Sequence, residues 1–143
     1  NGMPWDCHVL NHEIYQMLVP ELDNVFYQLV TDLEDRGMLE DTLVIAMGEF
    51  GRTPWLNAAR GRDHYPKAWS MIMAGGGIKG GVVHGATDEL GIAVKDGKVN
   101  NRNLFATFFS VLGIDPHEQY NLPGLPTFHR VEDNAAPIEE VLS

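Results

Sequence analysis

A chain of 143 residues is long enough for one domain that buries roughly two thirds of its unfolded surface, so a core needs neither disulfides nor a structural metal. Hydrophobic residues at 44% and charged residues at 21% match soluble globular averages and exclude a disordered chain. A net charge of -10 argues against nucleic acid and anionic membranes as partners, and no apolar run approaches the roughly 18 residues that membrane insertion requires.

The opening Asn1-Gly2-Met3-Pro4 reads as a loop, and Trp5 to Val9 as a short extended piece in which Asp6 and His8 point the same way. From Asn11 to Arg36, Ile14, Leu18, Leu22, Val25, Phe26, Leu29, Val30 and Leu33 recur at helical spacing, with Gly37 as the stop. Pro20 is expected to kink or divide this helix. Thr42 to Gly48 is a continuous apolar run ended by glycine, the pattern of a central strand covered on both faces, and helix followed by strand suggests an α/β layer.

Glu49 to Pro66 is polar and punctuated by Gly51, Pro54, Gly61 and Pro66, so it reads as a long loop leaving the carboxyl end of that strand. Ala68 to Ala74 reads as a second apolar strand, and Gly75 to Gly81 as the turn that follows it. No Lys-Ser or Lys-Thr follows these glycines, which disfavours a phosphate-binding loop and with it a nucleotide binder. Turn residues surround Ile92-Ala93-Val94, a helix spans Asn101 to Leu112 and closes at Gly113, and the Pro-rich tail is irregular. The reading is one unit over residues 1–143, with neither repeats nor low-complexity segments.

Three clusters carry chemistry. Asp6-x-His8 offers a carboxylate and an imidazole on one face, both metal-ligand types, and His12 is a candidate third. Glu49 stands where ligands bind in open α/β sheets, at the carboxyl end of a strand, and Arg52 beside it can grip an anion as a bidentate fork. In Gly61-Arg62-Asp63-His64, His64 is a candidate ligand with Asp63 as its outer carboxylate, and Arg62 a candidate anion contact. Arg52, Arg60, Arg62 and Lys67 face the single acid Asp63 in this stretch, a basic island suited to a small anionic ligand. Cys7 reads as packed, since no nucleophile elbow surrounds it or Ser70, Thr53 or Thr87.

Trp5-Asp6-x-His8, Gly48-Glu49-Phe50-Gly51-Arg52-Thr53-Pro54, Gly61-Arg62-Asp63-His64-Tyr65-Pro66, Trp69-Ser70, Ala74 to Gly81 and Gly85-Ala86-Thr87-Asp88-Glu89 occur in order. In these motifs the chain resembles the domain of unknown function 1501 family, from about Trp5 to Pro137, and Leu112 to Pro116 extends the likeness. The resemblance implies kinship with alkaline phosphatases and sulfatases, whose layered α/β sheet with flanking helices places two divalent metals beside a Ser, Thr or Cys nucleophile. The chain would then be the C-terminal portion of that domain, with the nucleophile upstream.

Within that likeness Asp6, His8 and His64 resemble the ligands of one metal, and Glu49 the carboxylate that opens a second site. Two departures stand out. Glu49-Phe50 replaces the superfamily's usual Asp-His, and Asp6 and His8 are spaced by two where phosphatases commonly space by four, which makes His12 a rival to His8. The implied activity is hydrolysis of a small phosphate or sulfate ester, assisted by Zn, Mn, Ca or Mg, with Arg52 or Arg62 neutralising developing charge. The rival expectation is a non-catalytic metal- or anion-binding scaffold of the same fold. Family likeness further suggests export, whereas the lone Cys7 leaves the compartment open.

Overall fold

The computed structural model describes residues 5–132 and 134–143, so the loop expected at Asn1 to Pro4 lies outside the described residues. In chain order the elements are helix α1 (Asn11–Asp35), strands β1 (Val44–Ala46), β2 (Gly51–Arg52), β3 (His64–Tyr65), β4 (Ile72–Ala74), β5 (Ala86–Thr87) and β6 (Val94–Asp96), helix α2 (Asn101–Val111), and strands β7 (Gln119–Tyr120) and β8 (Phe128–His129). Single 3₁₀ turns span Leu39–Asp41 and Glu139–Val141. The architecture is mixed helix and small antiparallel sheets, within the α/β class. No helix among the described residues is long and apolar enough to cross a membrane.

Both helices end as their glycines dictate. At α1, Gly37 adopts φ +67°, the Gly37 N–H donates to Glu34 O and the Met38 N–H to Leu33 O. That double bond pattern satisfies two orphan carbonyls and needs a left-handed residue at the turn. Gly113 closes α2 in the same way, with the Gly113 and Ile114 N–H groups donating to Ser110 O and Phe109 O. Pro20 does not divide α1. It removes only the donor that would reach Gln16, and both residues are exposed, so water can take the released carbonyl.

The apolar run Thr42 to Gly48 yields a strand, but not a central one. β1 is three residues long, half-buried throughout, and pairs antiparallel with β4 in the register Val44 to Ala74, Ile45 to Met73 and Ala46 to Ile72. A central strand needs a neighbour on each edge, and among the described residues β1 has β4 alone. The other pairs, β2 with β3, β5 with β6 and β7 with β8, are also separate two-stranded antiparallel sheets. The Glu49 to Pro66 stretch is therefore not a featureless loop, since it carries the β2–β3 pair, and the tail expected to be irregular carries β7 and β8.

The core is modest. Ala106 of α2 packs with Val131 and Ala135, and Phe109 leans against them. The accessible surface is 9931 Å², whereas a globular chain of 15.9 kDa exposes roughly 7,400 Å². The expected burial of two thirds of the unfolded surface is not reached, and Val25, Tyr27, Val83 and Leu90 stand more than 60% exposed. Thr107, fully buried, ties α2 to the tail: its hydroxyl donates to Asn103 O at 2.7 Å and accepts from the Ile138 N–H at 2.9 Å. Thr107→Val keeps the shape but leaves the Ile138 N–H unpaired, so chemical denaturation is expected to show a loss of about 1–3 kcal/mol.

Candidate metal centre

The extended segment from Trp5 to Asn11 lies along the loop that joins β2 to β3. The Arg62 N–H donates to Cys7 O at 3.3 Å, the Leu10 N–H to Ala59 O at 3.2 Å and the Asn11 N–H to Arg60 O at 3.0 Å. The last bond also occupies a donor at the start of α1, which has no side-chain cap. Leu10 (φ 43°) and Arg60 (φ 58°) both hold left-handed conformations that cost a non-glycine residue energy, and they meet at this contact. Gly61 makes the approach possible, because a Cβ there would lie 1.9 Å from His8 O.

Asn57 organises the loop. Its Nδ2 donates to His8 O and to Asp63 Oδ1, both at 3.0 Å, while its Oδ1 accepts from the Ala59 and Gly61 N–H groups. Nothing in the spacing singled out Asn57; the only signal was the residue type, since asparagine side chains substitute for backbone partners in tight loops. Thr53 fixes the other side, accepting from the Asp63 N–H and donating to Trp55 O.

Alternation along the segment then sorts its side chains. Cys7 turns inward and is 2% exposed, and Asp6 and His8 turn outward together, as their spacing predicts. Burial pushes the Cys7 thiol above its ordinary range, as befits a packed residue. Across the β2–β3 pair Arg52 stands opposite His64, which places both side chains on one face. Asp6 is where the two groups of residues meet.

The ligand-type atoms converge. Asp6 Oδ1 lies 2.9 Å from His64 Nε2 and 3.1 Å from His8 Nε2, and the two Nε2 atoms are 3.1 Å apart. Donors bound about 2.1 Å from one ion would stand roughly 3.0 Å apart at right angles and 3.4 Å apart in a tetrahedron. The triangle therefore has the size of three neighbouring ligands on one cation. The side chains are 44% to 58% exposed, which keeps the face of the triangle accessible.

The outer contacts support the same arrangement. His8 Nδ1 lies 3.2 Å from Asp63 Oδ1. An ionised carboxylate only accepts, so this contact suits the tautomer of His8 with its proton on Nδ1, the form in which Nε2 can act as a ligand. Hydrogen bonds from Asn57 and then His8 hold the Asp63 carboxyl below its usual range. A carboxylate that orients a metal-binding imidazole is the common outer-shell device, although here Asp63 serves His8 and not the adjacent His64. The Phe50 ring packs 4.0 Å from the His64 ring and limits its rotation.

A family model described as "Protein of unknown function (DUF1501)" matches residues 1–142. The chain belongs to the DUF1501 family. No curated protein and no solved structure matches it.

Other residues singled out in this DUF1501 sequence fall elsewhere. His12 sits exposed on the first turn of α1 and is outside the cluster. Glu49 is exposed just beyond β1 and is also outside it, so Asp6, His8 and His64 form the one such cluster among the described residues. The guanidinium of Arg62 donates to Thr53 O and thereby clamps the loop. That of Arg52 donates to Asp6 Oδ1 and Arg62 O and lies 5.8 Å from the Phe50 ring centre.

The Arg52 contact, followed by that of His64, lowers the Asp6 carboxyl from 3.8 to about 2. A depressed carboxyl stabilises the fold above its unfolded value and loses that contribution as pH falls toward its folded one. Asp6→Asn should therefore flatten the loss of stability between pH 3.8 and about 2, read from denaturant midpoints across that range. Parallel acid profiles for the two proteins would disprove the Asp6 contact.

Proposed function

We propose that Asp6, His8 and His64 bind a divalent cation, and that the complete domain hydrolyses phosphate or sulfate esters in the manner of alkaline phosphatases and sulfatases. The observation that carries this reading is the convergence of three donor atoms within 3.1 Å of one another, with the other ring nitrogen of His8 held 3.2 Å from Asp63. Two imidazoles and one carboxylate suit zinc and neighbouring transition ions better than magnesium or calcium, which prefer all-oxygen shells. A bound cation would supply Lewis acidity toward an ester oxygen.

The chain's own residues hold and orient the site. Asp63 orients the His8 ring through Nδ1, Phe50 restrains His64, and Arg52 sets a fixed positive charge beside Asp6, where a small anionic ester would approach. Arg52 is better placed for that anion than Arg62, because its guanidinium contacts Asp6 of the triangle whereas that of Arg62 is turned to Thr53 O. On the superfamily likeness the nucleophile is proposed to lie on an early strand upstream of Asn1, and the buried Cys7 is not assigned that role. The large exposed apolar surface supports reading residues 1–143 as the C-terminal portion of a larger layered sheet. Export is proposed on family likeness alone.

The position of Glu49 outside the cluster favours a second reading, a scaffold with one metal and no catalysis. Metal content of the complete protein, together with turnover of 4-nitrophenyl phosphate and 4-nitrophenyl sulfate with and without chelator, separates the two. Chelator-sensitive turnover supports the hydrolase. Turnover indifferent to chelator rejects it, and bound metal without turnover selects the scaffold.

A further inference from the structure

A second feature lies away from the donor triangle. A cleft of about 750 Å³ opens between the β4 region, the β5–β6 pair and the start of α2, and Asp6, His8 and His64 take no part in its walls. Its volume is within the range of pockets that hold small organic ligands. Trp69, Met73, Val94, Leu104, Ile138 and Val141 contribute apolar walls.

The charge of the lining is opposite to that of the protein. Three of the chain's four lysines, Lys67, Lys79 and Lys98, line the cleft, and no acidic residue among the described residues does. None of the three makes an ion pair with a described carboxylate, and Lys67 Nζ lies 6.0 Å from the centre of the Tyr65 ring. His84 and the polar groups of Ser70, Thr87 and Asn100 add hydrogen-bonding capacity at the walls. At physiological ionic strength charges beyond about 8 Å are screened, so a ligand in the cleft feels these lysines more than the overall charge of -10.

We propose that this cleft binds a small organic anion with an apolar body, its carboxylate or phosphate group held among Lys67, Lys79 and Lys98 and its body against Trp69 and Met73. Lysine suits this role, since its flexible stem packs on apolar walls while the ammonium reaches the anionic group. An uncharged apolar ligand would leave the three ammonium groups without a counter-charge, and a cation would be repelled.

The test uses the whole chain and three matched probes, 2-naphthoate, 2-naphthylmethylammonium and inorganic phosphate, by titration calorimetry. Naphthoate is expected to bind at least tenfold more tightly than either of the others. Lys79→Glu/Lys98→Glu should weaken naphthoate at least tenfold and strengthen the ammonium probe, with Lys79→Gln/Lys98→Gln intermediate; circular dichroism checks that each variant is folded. Equal binding of naphthoate and the ammonium probe would overturn the proposal, as would phosphate binding as tightly as naphthoate, because the apolar walls would then contribute nothing. Failure of naphthoate to bind would also overturn it, whatever metal the Asp6 site takes.

Discussion

His64→Ala is expected to reduce zinc affinity by more than the roughly 10- to 100-fold that an outer-shell change costs, because it removes one of three donor atoms outright. Asp63→Asn should fall within that 10- to 100-fold range. It leaves Asp6, His8 and His64 in place but replaces an acceptor-only carboxylate with an amide whose nitrogen can donate to His8 Nδ1, which permits the tautomer with its proton on Nε2. The same change alters the bond that Asn57 Nδ2 makes to Asp63, so its effect includes some loosening of the loop. His12→Ala and Glu49→Gln should bind zinc as the unmodified chain does, since neither residue belongs to the triangle. Calorimetric zinc titration of all four variants checks this ordering. A His12→Ala protein as impaired as His64→Ala would restore His12 as the rival to His8 and sink the site described here.

The residues differ in how far their sequence foretold their positions, and the reason is separation along the chain. The placement of Asp6 and His8 on one side, with Cys7 inward, follows from alternation over three residues, and the end of α1 follows from apolar spacing and Gly37. Both are local. The meeting of His8 with His64 depends on contacts across 56 positions, made by the backbone bonds of Cys7, Leu10 and Asn11 to the 59–62 loop, for which no periodicity exists. Motif order alone brought these segments under one resemblance. Asp63 illustrates the limit: adjacency suggested His64 as its partner, but the carboxylate reaches His8, 55 positions away, instead. The apolar run at Thr42 to Gly48 was legible as a strand, whereas its number of neighbours was not, because burial on two faces depends on what packs against it. Arg62 shows the same limit for charge, since a guanidinium beside candidate ligands can serve a backbone carbonyl as readily as an anion.

Gly61→Ala should cost about 1–3 kcal/mol of stability and weaken zinc binding in the same protein. Its φ is not in the left-handed region, so the penalty arises from space: the new methyl would meet His8 O at 1.9 Å and Val9 N at 2.4 Å, both backbone atoms that cannot rotate away. The segment from Trp5 to Asn11 must then lift from the loop, stretching the bonds from Arg62, Leu10 and Asn11 and carrying Asp6 and His8 away from His64. Gly37→Ala is the informative comparison. At φ +67° it bears left-handed strain of about 1–2 kcal/mol, yet no atom lies within 4 Å of the added methyl, and the site is untouched. The two variants should therefore lose similar stability but differ in metal affinity, with Gly37→Ala binding zinc normally. If Gly61→Ala retained both stability and affinity, the close apposition of His8 to the loop would be wrong, and with it the route by which two distant segments come to share one centre.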